Sequence, residues 1–168
     1  MRDIIELEVG DLASFEVDAL VSPANNESLL NTSVASELAV KAGKALSQEA
    51  NQIGKIELGE AVVTSAGKLK AKHVIHAACM NYSQATTEEH LILATRNALL
   101  RSRELALTSL ALPPLDDSGI SFPLKRCAEL MISEVIRHTE KEATLERVVF
   151  VLPDARTKKI FEECLRQT

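Results

Sequence analysis

The 168-residue sequence has few aromatic residues: four phenylalanines, one tyrosine and no tryptophan. It also lacks a tract of basic residues, and its formal net charge at pH 7 is −5. Surfaces that bind nucleic acid combine clustered lysine and arginine with aromatic rings that stack on bases. The composition therefore argues against nucleic acid as a partner.

Long hydrophobic runs and paired cysteines are also missing. No stretch reaches the roughly 18 uninterrupted apolar residues that a membrane span requires. The N-terminal segment, MRDIIELEVGD, places acidic residues among its apolar ones and has no small-residue cleavage site, unlike a secretory signal. The three cysteines, Cys79, Cys127 and Cys164, form no C-x-x-C pair, which suits a reducing compartment. We therefore expect a cytoplasmic protein without membrane insertion.

Nothing in the sequence divides the chain or indicates a metal site. A chain of this length can fold as one domain without disulfide or metal support. No internal repeat, linker or low-complexity run interrupts it, so we expect a single domain over residues 1–168. The four histidines, His73, His76, His90 and His138, have neither metal-ligand spacing nor a neighbouring nucleophile motif. We expect these histidines to be structural, with no metal and no cofactor.

Short apolar runs alternate with longer amphipathic stretches along the chain. The runs predict β-strands at residues 4–9, 18–22, 60–66, 73–78, 109–114 and 147–152. The stretches predict helices at residues 34–52, 87–106, 124–138 and 154–166, with Asp154 as a candidate N-cap of the last. Apolar strands joined by helical crossovers imply a largely parallel sheet with helices on both sides. The predicted fold class is α/β, a three-layer α/β/α sandwich.

In such sheets, ligands bind in the crevice beyond the carboxyl ends of the strands. Three predicted loops lie there, at residues 22–34, 78–86 and 113–123. The third, PPLDDSGISFP, connects a strand to a helix and contains Ser118 and Gly119. We expect this loop to lie beside the first one.

The first loop raises a question, because Asn31, Thr32 and Ser33 stand where a phosphate-binding loop normally has glycines. The backbone N–H groups around residues 32–35 could bind an anion at the positive end of the helix dipole. Alternatively, Ser33 is the N-cap of the helix and no ligand is needed. Spacing alone leaves both interpretations open.

Two polar side chains near strand ends are candidate ligand contacts. Asn25 follows the second strand, and its amide can both donate and accept, as recognition of a ribose hydroxyl pair requires. Asp11 follows Gly10 and could accept a hydrogen bond from an exocyclic amine. A turn-forming asparagine would look identical, and acids are common in exposed turns that bind no ligand.

Three stretches resemble the signature regions of macrodomains, which are ADP-ribose-binding modules. They are GDLASFEVDALVSPANN at 10–26, GKIELGEAVVTSAGKLKAKHVIHAA at 54–78 and LPPLDDSGISFP at 112–123. The middle stretch is the most specific, because the likeness there is long and ungapped. The resemblance spans nearly the whole chain and implies a mixed, mostly parallel six-stranded sheet.

The resemblance also implies roles for individual residues. Asp11 corresponds to the acid that accepts a hydrogen bond from the adenine amine, and Asn25 to the asparagine that contacts the distal ribose. Residues 31–34 and 118–122 correspond to the two phosphate loops. The implied ligand-binding residues are Asp11, Leu12, Ala24, Asn25, Thr32, Ser33, Val34, Ser118, Gly119, Ile120, Ser121, Phe122 and Pro153.

Several positions depart from the family pattern. Asn31, Thr32 and Ser33 replace three glycines, and their Cβ atoms either narrow the cleft near the distal ribose or force a different loop path. Asp116 and Asp117 precede the second phosphate loop and would repel a diphosphate. Pro153 stands where many members have an aromatic ring under the adenine. Together these changes argue for weakened or altered recognition.

The function implied by the resemblance is binding of ADP-ribose, or of a related ADP-ribosyl metabolite or ADP-ribosylated protein. One alternative is a hydrolase that cleaves ADP-ribose from a protein carboxylate or from an acetyl group, with Asn25 positioning the water. In one hydrolase subgroup an aspartate follows the glycine run, and here that position is Ala35. The other alternative is a chain that keeps the fold and acts as a protein-interaction or structural module.

Overall fold

The computed structural model describes residues 2–81, 83–116, 122–141 and 144–168. The strands and helices alternate along the chain. In order, they are β1 (Ile5–Val9), β2 (Ala19–Asn25), α1 (Ser33–Ala42), α2 (Lys44–Ile53), β3 (Ala61–Ser65), β4 (His73–Met80), α3 (Glu88–Glu104), β5 (Ser109–Leu112), α4 (Leu124–Thr139), β6 (Arg147–Leu152) and α5 (Ala155–Gln167). A short 3-10 helix, Leu12–Ser14, follows β1.

The six strands form one sheet in the order β1-β6-β5-β2-β4-β3. Every neighbouring pair is parallel except β3 and β4, which are antiparallel. The predicted α/β class, with a mixed and mostly parallel six-stranded sheet, is confirmed. Because the parallel strands point the same way, β1, β6, β5 and β2 all end at one edge of the sheet.

Helices cover both faces of the sheet and bury its side chains. Ile75 and Phe150 belong to the larger core cluster, which includes Met131 of α4 and Phe161 of α5. Alternate strand residues point to the opposite face, where Leu20 and Val74 pack with Leu46 of α2. The result is the three-layer arrangement that the apolar strands predicted.

The helix predicted over residues 34–52 is wrong in one respect, because it is two helices. α1 ends and α2 begins at Gly43, whose φ of +88° strongly favours glycine. The carbonyl of Ala42, at the end of α1, accepts a hydrogen bond from the backbone N–H of Lys68, in the turn after β3. That turn therefore holds the C-terminal end of α1.

Among the described residues, no helix is long and apolar enough to cross a membrane. The same part of the chain contains no cluster of His, Cys, Asp and Glu side chains suited to a metal ion.

Candidate functional site

A cavity of about 570 Å³ opens at the sheet edge where the parallel strands end. Its lining comes from the segments that follow β1, β5 and β6 and from the starts of α1, α4 and α5. The lining residues are Gly10, Asp11, Leu12, Ala13, Ser33, Val34, Glu37, Leu38, Pro113, Pro114, Asp116, Leu124, Val151, Leu152, Pro153, Arg156 and Thr157. The cavity thus lies in the crevice where ligands of parallel α/β sheets bind.

The structure brings five of the predicted site residues together around this cavity: Asp11, Leu12, Ser33, Val34 and Pro153. Four other predicted residues are buried nearby in the fold but are not among its lining residues. They are Ala24, Asn25, Thr32 and Phe122. Ser118, Gly119, Ile120 and Ser121 lie outside the described residues.

Asp11 is held by two interactions at the cavity. Its Oδ1 accepts a hydrogen bond from the backbone N–H of Ala13, which makes Asp11 the N-cap of the short 3-10 helix. Its Oδ2 lies 2.5 Å from the Nζ of Lys41 on α1. The hydrogen bond from Lys41 holds the pKa of Asp11 below its usual range, and the same contact raises the pKa of Lys41. The pair is therefore charged on both sides at neutral pH.

The N-cap of α1 is Thr32 and not Ser33. The buried Thr32 Oγ1 accepts from the backbone N–H of Ala35 at 3.2 Å and donates to the carbonyl of Pro23 at 2.7 Å. The side chain thus joins the helix start to the end of β2. Ser33, the first helical residue, lines the cavity. The start of α1 is therefore capped by the side chain of Thr32 and also lies at the cavity, so the two interpretations of this loop do not exclude each other.

Asn25 has the turn-forming role that its position allowed. Its side-chain Oδ1 accepts from the backbone N–H groups of Glu27 at 2.9 Å and Ser28 at 3.0 Å. The oxygen therefore stabilises the chain after β2, as in an Asx-turn. This leaves the Nδ2 group as the part of the amide that could contact a ligand.

The charged lining of the cavity is mainly acidic. Its described carboxylates belong to Asp11, Glu37 and Asp116, and Arg156 is the one cation among the described lining residues. Asp116 is only 4% exposed, so its carboxylate lies against the protein interior. An anion in this cavity would therefore depend on backbone N–H groups and on Arg156 more than on lysine side chains.

Sequence reasoning missed Glu37 and Arg156 as lining residues. Glu37 lies one helical turn beyond Ser33, so the helical repeat places both on one face of α1. Arg156 follows Asp154, whose Oδ1 accepts from the backbone N–H of Thr157 and caps α5. The i, i+4 spacing was a usable signal for Glu37. No sequence pattern indicated Arg156, because the start of α5 reaches the cavity only through the order of the strands in the sheet.

Comparison with known proteins identifies the family. A family model described as the Macro domain matches residues 21–131. The chain therefore belongs to the macrodomain family. An uncharacterized protein of Thermotoga maritima is 37% identical, over 95% of this chain and 28% of the relative. An uncharacterized protein of Sulfurisphaera tokodaii is 33% identical, over 94% of this chain and 88% of the relative.

Some relatives are much longer than this chain. The uncharacterized protein Mb1934c of Mycobacterium bovis is 36% identical, over 97% of this chain but 46% of its own length. The chain thus spans less than half of this relative and of the T. maritima one.

Solved structures agree with the fold. A macrodomain of Oceanobacillus iheyensis with ADP matches with a TM-score of 0.87 and 25% identity, over 97% of this chain and 90% of that one. A Trypanosoma brucei macrodomain in complex with ADP-ribose matches with a TM-score of 0.89, over 96% and 69%. Its 21% identity makes it evidence for the fold alone.

Proposed function

We propose that this chain binds ADP-ribose, or a related ADP-ribosyl metabolite or ADP-ribosylated protein, in the cavity at the strand ends. The observation that carries the proposal is the cavity of about 570 Å³ that places Asp11, the start of α1 and the end of β6 around one space. The O. iheyensis macrodomain with ADP supports a nucleoside diphosphate group as the part of the ligand that binds here.

The lining offers the two environments that such a ligand needs. Leu12, Leu38, Val151 and Pro153 form apolar walls suited to a flat base, and Asp11 offers a carboxylate at the edge of that space. Ser33 and Val34 begin α1, where first-turn N–H groups and the helix dipole favour a phosphate.

Two observations favour binding over hydrolysis. Ala35, at the position where one hydrolase subgroup has an aspartate, is fully buried in α1 and has no group that could activate water. The Oδ1 of Asn25 already accepts two backbone hydrogen bonds, so the amide has less freedom to position a water molecule. Incubation with a mono-ADP-ribosylated acceptor should therefore leave the modification in place.

Calorimetric titration with ADP-ribose tests the binding proposal. We expect saturable heat, and we expect Asp11→Ala to weaken binding by about ten- to a hundredfold, because a charged hydrogen-bond acceptor is lost. Glu16→Ala is the matched control, since Glu16 is exposed and outside the cavity lining. No saturable heat at millimolar ADP-ribose would contradict the proposal.

Asn25 needs a variant that keeps its turn. Asn25→Asp retains an oxygen for the N–H groups of Glu27 and Ser28 and replaces the Nδ2 donor by a second oxygen, with a negative charge. If that donor contacts the ligand, this variant binds ADP-ribose more weakly while its thermal unfolding stays close to that of the parent. Unchanged affinity would remove Asn25 from the binding site.

A further inference from the structure

Glu37 is a cavity-lining acid whose carboxylate is not used by the described part of the chain. The residue is exposed on α1 and lines the cavity. Within the described residues, its carboxylate takes part in no hydrogen bond or ion pair, whereas the carboxylate of Asp11 accepts from Ala13 and Lys41. Glu37 therefore offers two acceptor oxygens to a ligand in the cavity.

The position of Glu37 on α1 is midway between two parts of the site. Ser33, Glu37 and Lys41 follow one another at four-residue intervals, so they lie along one face of the helix. Ser33 lines the cavity at the helix start, and Lys41 contacts Asp11 two turns later. Each interval advances about 6 Å along the helix axis. Glu37 therefore lies between the start of α1 and the carboxylate of Asp11.

The binding mode proposed above gives these two ends different parts of the ligand. The start of α1 favours the diphosphate, and Asp11 lies beside the apolar walls suited to the base. In a nucleoside diphosphate, the ribose joins the diphosphate to the base. The order along α1 thus places the ribose beside Glu37.

The chemistry of a carboxylate at this point suits a ribose. A carboxylate repels phosphate and only accepts hydrogen bonds, so its partner in the ligand is an uncharged donor. The two vicinal hydroxyls of a ribose can both donate to one carboxylate, and many dinucleotide-binding α/β sheets bind a ribose hydroxyl through an acidic residue. A 2′-deoxyribose offers one donor fewer.

We propose, resting on the function proposed above, that Glu37 binds the ribose attached to the base and makes the cavity selective for ribonucleotides over 2′-deoxyribonucleotides. The 2′-OH and the 3′-OH donate to the two carboxylate oxygens of Glu37. The charge of Glu37 weakens the binding of any diphosphate, and the hydrogen bond from the 2′-OH offsets this repulsion for ribonucleotides alone.

The size of the effect is limited by the exposure of Glu37. A hydrogen bond to a charged group contributes more than one between neutral groups, but water competes for an exposed carboxylate. We therefore expect the ribonucleotide to be preferred by about three- to tenfold.

ADP and 2′-deoxy-ADP are the probes, because they differ only in the 2′-hydroxyl. Calorimetric titration should give the parent protein a Kd for 2′-deoxy-ADP about three- to tenfold higher than that for ADP. In Glu37→Ala, the ratio of the two Kd values should fall to about one. The substitution also removes charge repulsion, but that change acts on both nucleotides and leaves the ratio unaffected. Alanine has a high helix propensity, so α1 is retained.

Two further variants complete the series. Glu37→Gln keeps one acceptor oxygen without the charge, so its ratio should lie between those of the parent and Glu37→Ala. Glu16→Ala is the matched control, because Glu16 is also exposed but is not a lining residue of the cavity. It should leave the ratio unchanged.

Two results would overturn this inference: a parent ratio below about two, or a Glu37→Ala ratio that is less than about twofold lower than that of the parent. ADP-ribose, titrated in parallel, separates this failure from that of the proposed function. If ADP-ribose binds but the ratio does not respond, or ADP itself does not bind, only the role of Glu37 is lost. If none of the three ligands gives saturable heat, both proposals are lost.

Discussion

At the scale of single residues, His76 has an unusual environment for an ionisable side chain. It lies on β4 and is 1% exposed, and a hydrogen bond of 2.9 Å joins its Nε2 to Thr64 Oγ1. Its Nδ1 has no hydrogen-bond partner among the described residues, nor does the Oγ of Ser22, which pairs with it in register on β2. Burial lowers the pKa of His76 to about 4, so the ring is neutral at physiological pH.

This environment predicts a loss of stability in mild acid. The unfolded chain protonates His76 near its ordinary pKa of about 6.5, whereas the folded chain does so only near pH 4. The unfolded state therefore binds more protons between these values, and the free energy of unfolding falls as pH decreases through that window. The contribution of His76 is about 3 kcal/mol at most.

Urea unfolding at pH 7 and at pH 4.5 measures this effect. His76→Gln should flatten the dependence of the unfolding free energy on pH, whatever it does to the absolute value. His90→Gln is the control, because His90 is only partly buried at the start of α3. An equally steep loss in His76→Gln would assign the acid sensitivity to other groups.

The sequence placed His76 in a strand but could not predict its depth. The side chain of a strand residue points to one face of the sheet, and it is buried only when a helix from a distant part of the chain packs on that face. Asp11 shows the same limit, because its position at a turn was readable whereas its pairing with Lys41 depends on how α1 lies across the end of β1. Residue type and local position were predictable, and partners distant in sequence were not.

At the scale of elements, α1 carries most of one wall of the site. It supplies Ser33, Val34, Glu37 and Leu38 to the cavity and Lys41 to Asp11. Thr32 fixes its start to β2, and the turn after β3 holds its end through the Lys68–Ala42 hydrogen bond. The position of this wall therefore depends on contacts at both ends of the helix.

Gly67 is the residue that lets the turn approach α1. Its φ is +56°, and a Cβ built on it would lie 2.3 Å from the carbonyl oxygen of Ala42. Gly67→Ala should therefore lower the free energy of unfolding by about 2 kcal/mol or more and displace the end of α1. Hydrogen exchange of the α1 amides should become faster.

Gly54→Ala is the comparison for this effect. Gly54 also has a positive φ, +74°, but an added Cβ there meets no atom within 4 Å. Gly54→Ala should introduce backbone strain at the end of α2 and leave the hydrogen exchange of the α1 amides unaltered. If Gly67→Ala also leaves α1 exchange unaltered, the turn does not hold this helix.

The elements differ in how well sequence predicts them. The six apolar runs located six strands, since a buried strand needs a continuous apolar segment wherever it lies in the sheet. The break at Gly43 was missed because Leu38, Ala42, Leu46 and Ala50 keep helical spacing across it. The spacing of apolar residues indicates which side chains are buried. It does not indicate where one helix ends and the next begins in a new direction.

At the scale of the whole molecule, charge should oppose the entry of an anionic ligand. The chain has a formal net charge of −5, and Asp11, Glu37 and Asp116 line the cavity. Salt screens the repulsion between such a surface and a diphosphate. We therefore expect the affinity for ADP-ribose to rise by about two- to tenfold between 20 and 200 mM NaCl, as calorimetric titration can measure.

Adenosine is the control, because it lacks the diphosphate and its affinity should be insensitive to salt. An ADP-ribose affinity that falls with salt would mean that Arg156 and the start of α1 outweigh the acidic lining. In that case Arg156→Ala should reduce the fall in affinity with salt, because the acidic lining remains.

The sheet order explains why the site was only partly predictable. The ends of β1 and β6 are far apart in the sequence but adjacent in the sheet, where the N–H of Gly10 donates to the carbonyl of Leu152. Asp11 and Pro153 could each be recognised from local resemblance. Their meeting with Arg156 and Thr157 around one space follows from the order of the strands.

The pairing of β1 with β6 also bears on synthesis. Among the described strands, β1 lies at an edge of the sheet and pairs with β6 alone, so β1 stays unpaired during synthesis until residues 147–152 leave the ribosome. The cavity cannot form before that point. A ligand of this cavity can therefore stabilise the fold only after β6 has paired with β1.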